Sequence, residues 1–363
     1  MIKINKQKTY LHLFEDHSKY QYGFKPKNKW IGWLLLCLLS IIILIVPQIP
    51  VTILVGLIAF GISSVAQFDL IGLYETPVGF IITMLLSTGF SIICYYIYVK
   101  FVEKRPFYTI GLRQPRRLFK YLIGTLIAIG MQLTYFIIIL ITGFGEIVEE
   151  PIISTNGIGV NAIGIVLLAL LMFLIQGASE EIMVRGWLFP ALAKSYSAIA
   201  AIIISSGLFA VLHLSNDHVS MIAMFNLFLY GVFAVLYALN EGGLWGIFAF
   251  HSIWNWFMGN VIGLPVSGLI PGGASIIETK LVGPEVITGG AFGPEGGIIV
   301  SVMLSVAILV LIKMCFNKGI LFKGDKEIFI EEEVEETVQP KIYKPIESPV
   351  IENSNGEIEM DFI

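Results

Sequence analysis

Charged side chains are scarce in this sequence. Asp, Glu, Lys and Arg make up only 14% of its 363 residues, whereas a typical soluble domain contains about 25%. Hydrophobic residues make up 56%, and the mean hydropathy is +0.82. The composition therefore excludes an ordinary soluble domain, gives no reason to expect a nucleic-acid partner, and predicts a polytopic protein of the lipid bilayer.

The sequence also lacks the signatures of several enzyme classes. Its three cysteines, Cys37, Cys94 and Cys315, are far apart and form no CxxC pair, so neither a disulfide framework nor a cysteine-ligated zinc is expected. H-E-x-x-H and G-x-S-x-G motifs are absent, which argues against a zincin-like metalloprotease and a serine hydrolase. Asp69 and Asp217 lie in predicted turns, so no buried aspartate pair is available for an aspartic protease.

Long apolar runs, by contrast, are abundant. They approach the roughly 20 residues of a membrane-spanning helix and do not alternate as barrel strands do. The runs cover 30–46, 51–65, 79–101, 120–142, 161–193, 198–214, 219–240, 244–260 and 298–315. The polar segment before them lacks an A-x-A-type cleavage site and is not predicted to be a signal peptide. We predict an all-α bundle of about eight transmembrane helices around a polar intramembrane cavity.

Clusters of Lys and Arg predict the membrane topology. They precede residue 30, fill 100–120 and return after residue 312, so all three regions should be cytoplasmic, with both termini. Three apolar runs lie between the first two clusters, although an even number of crossings is required. One segment of 30–65 is therefore predicted not to span fully, with a break at Pro47 and Pro50. The Gly/Pro-rich segment 261–297 should be extracellular, as a packed lid or a plain connector.

The stretch "QGASEEIMVRG" places three charges at the end of an uncharged run. Each charge costs roughly 2.5–3.5 kcal/mol at the centre of a membrane helix, so their presence indicates a structural or functional role. Glu181 and Arg185 are i,i+4 neighbours and can neutralise each other. Glu180 points about 100° away and stays unexplained. A structural ion pair, with Glu180 reaching the cytoplasmic surface, is the alternative to a functional site.

Polar residues on two other apolar runs are candidate partners of Glu180. His213 follows Phe209 by one turn, and His251 and Asn255 are i,i+4 neighbours. Glu and His can act as a general base on water, while His and Asn can stabilise an oxyanion. Alternatively, Glu180, His213 and His251 are plausible zinc ligands with an open position for water. Packing through a helix-to-helix hydrogen bond is the non-catalytic interpretation.

The three motifs occur in order as Glu180-Glu181-x-x-x-Arg185, Phe209-x-x-x-His213 and His251-x-x-x-Asn255. This pattern resembles the CPBP family of intramembrane proteases, which includes the type II CAAX prenyl endopeptidases and bacterial Abi-type proteins. The stretches "TIGLRQPRR" and "TGGAFGPEGG" also look like bacterial members. The resemblance covers about 105–315, a protease core that follows N-terminal helices in 30–104. It leaves a cytoplasmic N-terminal segment at 1–29 and an acidic tail at 316–363, which is predicted to be disordered.

The resemblance implies an endopeptidase that cleaves a peptide or membrane protein in or near the bilayer of a bacterial plasma membrane. By matched position, Glu180 and His213 would activate the water and His251 and Asn255 would stabilise the oxyanion. Arg185 would hold Glu181. A lipidated substrate and a zinc-dependent, metalloendopeptidase mechanism both stay open. The alternatives are a non-catalytic immunity or scaffold protein of the same fold and a proton-coupled transporter.

Overall fold

A computed structural model describes residues 29–66, 76–318 and 320, and most of them form α-helices. All but the last residue of the predicted N-terminal segment 1–29, the predicted turn containing Asp69 and nearly all of the predicted acidic tail lie outside these residues. The helices are α1 Lys29–Ile45, α2 Gln48–Ala66, α3 Pro77–Ile97, α4 Arg117–Ile141, α5 Ile163–Glu181, α6 Phe189–Ser195, α7 Ala198–Val211, α8 Met221–Glu241, α9 Trp245–Trp256, α10 Glu285–Thr288 and α11 Ile298–Lys318.

Six helical segments of the described chain are long and apolar enough to cross a membrane. They are Ile31–Ile58, Val78–Val102, Arg117–Ile141, Gly159–Ser195, Met221–Glu241 and Ile298–Lys318. Ala198–Val211 is apolar but shorter, and α9 runs on into a π-helix, Phe257–Val261. These features confirm an all-α polytopic membrane protein, and the count of about eight spans stays a prediction.

The first two apolar runs are separated at the proline pair. α1 ends at Ile45, a turn contains Pro47, and α2 begins at Gln48. Pro50 falls in the first turn of α2, where a missing backbone donor costs nothing because that donor has no partner inside the helix. Ile31–Ile58 forms one candidate span, which agrees with the prediction that part of 30–65 does not cross.

The helix that carries the glutamate pair changes its winding directly after Glu181. α5 passes into a π-helix, Ile182–Leu188, and then into α6, so that one continuous helical segment covers Gly159–Ser195. Pro190 lacks a backbone donor, and its ring opposes the carbonyl four residues earlier, so regular α-winding is disfavoured there. Wider π-turns are frequent at functional sites, and Arg185 sits inside this one.

Two glycines bring the motif-bearing helices into close contact. A Cβ atom on Gly177 of α5 would lie 2.8 Å from the Oγ of Ser252 on α9. A Cβ on Gly231 of α8 would lie 2.6 Å from the Cβ of Ser206 on α7. Small residues permit such close crossings of membrane helices. The sequence therefore packs α5 against α9, and α7 against α8, around the polar motifs.

Two connecting segments join at one end of the bundle. Strand β1, Gly145–Val148, pairs antiparallel with β2, Glu278–Leu281, with Gly145 opposite Leu281. The buried carboxylate of Glu278, in β2, links the two segments further. Its Oε1 accepts hydrogen bonds from the backbone amides of Ile152 and Ile153, which follow β1, at 2.8 and 2.6 Å. We call residues 261–297 the capping loop. Its many backbone and side-chain contacts favour the packed lid over the plain connector among the two sequence-based interpretations.

Candidate active site

The residues of all three motifs surround one cavity of about 210 Å³. Four polar side chains from the sequence-based set line it: Glu180, His213, His251 and Asn255. Glu181 and Arg185 are buried directly behind them. The cavity extends to the capping loop, which contributes Val266, Ser267, Leu269, Pro271 and Glu295. The cavity therefore lies between the middle of the bundle and the end that carries the capping loop.

The Glu181 carboxylate is enclosed by three donors, all on its Oε1 atom. Arg185 Nη1 lies 3.0 Å away, His251 Nδ1 2.8 Å and the Tyr230 hydroxyl 3.3 Å. The Arg185 guanidinium also lies over the rings of Phe209 and Tyr230, at 4.7 and 5.4 Å from their centroids. The predicted ion pair of Glu181 and Arg185 is present, and each partner compensates a buried charge.

The second nitrogen of His251 faces the other glutamate of the motif. A carboxylate oxygen can only accept, so we assign a hydrogen to Nδ1, which bonds Glu181. His251 Nε2 then lies 3.9 Å from Glu180 Oε2. This separation is too long for a hydrogen bond but lets one water molecule contact both atoms. Glu180 thus points toward the cavity and His251.

Glu180 has one oxygen in use and one without a partner. Its Oε1 accepts from Gln176 Nε2 at 2.5 Å. Its Oε2 is buried and has no hydrogen-bond partner within the described part of the chain. Buried polar atoms are almost always bonded, so a lone carboxylate oxygen beside a cavity indicates a position for a ligand or reactant.

His213 has a different kind of partner from His251. It lies in the turn after α7, and its Nδ1 is 2.8 Å from the Phe209 carbonyl oxygen. A carbonyl accepts, so Nδ1 donates and Nε2 is left as the acceptor of a neutral ring. The Phe209 ring lies 4.8 Å from the His213 ring centroid and 6.1 Å from that of His251. His218, by contrast, is exposed in the following turn.

Sequence reasoning missed four residues of this site. Gln176 precedes Glu180 by four positions, so helical spacing could have indicated its contact. Glu295 lies in "TGGAFGPEGG", which the resemblance singled out without assigning a role. Tyr230 and Ser267 carry no sequence signal, because only the packing of α8 and of the capping loop brings them to the cavity.

The proposed zinc ligands do not form a metal site in this arrangement. Within the described residues, no three His, Cys, Asp or Glu side chains are placed so that they could hold one ion. The Nδ1 atoms of His213 and His251 bond Phe209 and Glu181, so only the Nε2 atoms of the two rings are available to a ligand. No step below passes through a metal. Zinc ligation by Glu180, His213 and His251 stays a prediction that a chelator can test.

Residues 162–257 match the family described as type II CAAX prenyl endopeptidase, Rce1-like. The matched segment is about a quarter of the chain and contains all six candidate residues. It agrees with the resemblance inferred from the three motifs and supports an intramembrane-protease-type function in general, with a peptide substrate in the bilayer. No curated protein and no solved structure gives a significant match to the chain.

Proposed function

We propose that this protein is an intramembrane endopeptidase that hydrolyses a peptide bond with a water molecule activated by Glu180. The proposal depends on one observation: Glu180 Oε2 and His251 Nε2 face each other at the cavity, 3.9 Å apart. Glu180 Oε2 is a buried carboxylate oxygen with no partner among the described residues. A water molecule there would meet an acceptor for its proton and a substrate-sized space beside it.

The two histidines suit different tasks because their partners differ in charge. His213 bonds a neutral carbonyl, which fixes the tautomer that accepts a hydrogen bond from water. His251 bonds the Glu181 carboxylate through Nδ1, which leaves Nε2 facing the cavity; when the ring carries a hydrogen on both nitrogens, Nε2 can donate. His213 then helps Glu180 to orient the water, and His251 offers its hydrogen to a developing negative charge.

The reaction proceeds by attack of water on the substrate carbonyl carbon. Glu180 takes one proton from the water as the new carbon–oxygen bond forms. The carbonyl oxygen becomes an oxyanion, which accepts hydrogen bonds from the Asn255 amide and from His251 Nε2. Collapse of this intermediate breaks the carbon–nitrogen bond, and protonated Glu180 gives its proton to the leaving amine. The products are first a carboxylic acid and an amine. The remaining proton of the attacking water then leaves the acid for the amine or the solvent, which gives the carboxylate, and Glu180 is again unprotonated.

The walls of the cavity favour an apolar stretch of peptide beside the scissile bond. Leu44 and Ile45 at the end of α1, and Phe80 and Met84 on α3, line it opposite the polar groups. A membrane-protein segment or a lipidated peptide would bury apolar surface there. We also propose that the protein lies in a bacterial plasma membrane with both termini cytoplasmic. Two stretches resemble bacterial members of the family, and Lys and Arg cluster in the sequence before residue 30, at 100–120 and after residue 312.

The proposal is tested with purified protein and a peptide library analysed by mass spectrometry, with and without a chelator. We expect cleavage products, incorporation of oxygen-18 from labelled water into the new carboxylate, and loss of both with Glu180→Gln. Glu146→Gln, at an exposed glutamate of β1, is the matched control and should cleave like the wild type. Unchanged processing by Glu180→Gln would overturn the proposal. Loss of activity with the chelator would support the zinc prediction instead.

A further inference from the structure

The capping loop places a second buried carboxylate in the same cavity. Glu295 is 9% exposed and lies in a short 3-10 turn, Pro294–Gly296. Its Oε1 accepts from Trp254 Nε1 at 3.0 Å, and its Oε2 accepts from the Ser267 hydroxyl. Trp254 lies between His251 and Asn255 on α9. Glu295 is therefore fixed to the helix that carries the proposed oxyanion site.

The backbone on both sides of Glu295 is also held in place. Asn226 Nδ2 on α8 donates to the carbonyl oxygens of Glu295 and Gly297 at 2.8 and 2.9 Å. Gly293 has a φ of 92°, and a Cβ there would lie 1.9 Å from the Pro265 carbonyl oxygen. The loop thus presents this carboxylate to the cavity in a fixed position, as a preorganised binding group requires.

Glu295 has no cationic partner among the described residues. None of the described lining residues is Lys or Arg. The cationic and imidazole groups nearby are turned elsewhere: Arg185 and His251 contact the two glutamates of α5, and His213 bonds a backbone carbonyl oxygen. Glu295 accepts two hydrogen bonds but forms no ion pair within this part of the chain, and a buried carboxylate without a counter-charge is costly. A cationic group brought by a ligand would remove that cost.

We propose that Glu295 determines substrate specificity by binding an ammonium group of the peptide. The group is a lysine side chain or a free N-terminal amine on the capping-loop side of the scissile bond. This inference rests on the proposed peptidase function. Electrostatic attraction is strong in a site with little water, so the preference should be large.

The test uses peptides that differ only in the ammonium group. Lysine is replaced by norleucine at each position around the cleaved bond, and the free N-terminus is compared with its acetylated form. We expect the wild type to prefer one cationic peptide by about 10-fold or more in kcat/KM, a difference typical of one good polar contact. Glu295→Gln should bring this ratio close to one, and Glu295→Asp should keep part of it. Glu285→Gln, an exposed glutamate of the same loop, should keep all of it.

Three outcomes would overturn the inference. They are equal cleavage of all paired peptides by the wild type, an unchanged ratio in Glu295→Gln, and an equal loss of activity on both peptides, which would mean a purely structural role. If neither Glu295 variant folds, the test is the ratio of kcat/KM between the cationic and the neutral peptide in the wild type, and a ratio of one overturns the inference. If the wild type cleaves none of the peptides, the peptidase proposal fails instead. Binding of the same pairs, measured by fluorescence anisotropy, then still shows whether an ammonium group is preferred.

Discussion

The two adjacent glutamates of α5 have opposite surroundings. On what we call the closed side, Glu181 is fully buried and takes three donors on one oxygen, from Arg185, His251 and Tyr230. On the open side, Glu180 has a single side-chain donor among the described residues, Gln176. The second oxygen of each carboxylate is buried without a partner in this part of the chain, but Glu180 lines the cavity and Glu181 does not. One residue of helical rotation thus separates a compensated charge from an available one. The closed side supports structure and the open side supports chemistry.

Removing the arginine of the closed side should have the largest effect. Arg185→Met leaves Glu181 buried without its cation, and breaking a buried ion pair costs about 3–5 kcal/mol of unfolding free energy. Thermal or denaturant unfolding in detergent measures the loss. Arg113→Met, at an exposed arginine, should change stability by less than about 0.5 kcal/mol.

The double variant Glu181→Gln/Arg185→Met sharpens this result. It removes both charges together, so much of the lost stability should return. Activity should not return, because His251 Nδ1 has lost the carboxylate oxygen that it bonds and that orients the ring. A double variant as unstable as Arg185→Met would contradict the assignment of the closed side as an ion pair.

Asn255→Ala should have the next largest effect, on the open side. Loss of one oxyanion donor lowers kcat by about 10²–10³-fold, while substrate binding changes less. Peptide cleavage kinetics measure the split between kcat and KM. Asn317→Ala, at an exposed asparagine near the end of α11, should retain wild-type kinetics. A rise in KM alone would show that Asn255 binds substrate rather than the oxyanion.

Tyr230→Phe should have the smallest effect, because it removes only the longest of the three bonds to Glu181, at 3.3 Å. A hydrogen bond to a charged group contributes about 1.5–3 kcal/mol at ideal geometry, so we expect a loss of about 1 kcal/mol or less here. Unfolding experiments measure it, and activity should fall only a few-fold. A loss equal to that of Arg185→Met would mean that Tyr230, rather than Arg185, holds Glu181.

The parts of the site that depend on local spacing were predictable from the sequence. The bond of Arg185 to Glu181 joins residues one helical turn apart, and the charge cost in hydrocarbon drew attention to it. The bond of Trp254 to Glu295 spans 41 positions through an irregular loop, for which no periodicity exists. The π-helix that follows Glu181 was also missed, because hydrophobic patterns do not distinguish it from an α-helix.

In the overall architecture, too, the features that depend on local sequence were predictable and those that depend on long-range packing were not. Apolar run lengths and the prolines at 47 and 50 predicted the all-α membrane bundle and the break between α1 and α2. The pairing of β1 with β2 depends on contacts between residues more than a hundred positions apart, so the sequence pattern did not reveal it. The extent of the cavity, from Glu180 to the capping loop, follows from that long-range packing.

The most direct test of the account compares Glu180→Gln with Glu181→Gln in both peptide cleavage and unfolding. We predict that Glu180→Gln lowers kcat by about 10²–10⁴-fold, as expected for a lost general base, while its unfolding midpoint stays near that of the wild type. Glu181→Gln should lower the unfolding free energy by about 3–5 kcal/mol, because Arg185 loses its counter-charge. A Glu180→Gln protein that cleaves normally, or one destabilised as much as Glu181→Gln, would contradict the division between an open, catalytic side and a closed, structural side.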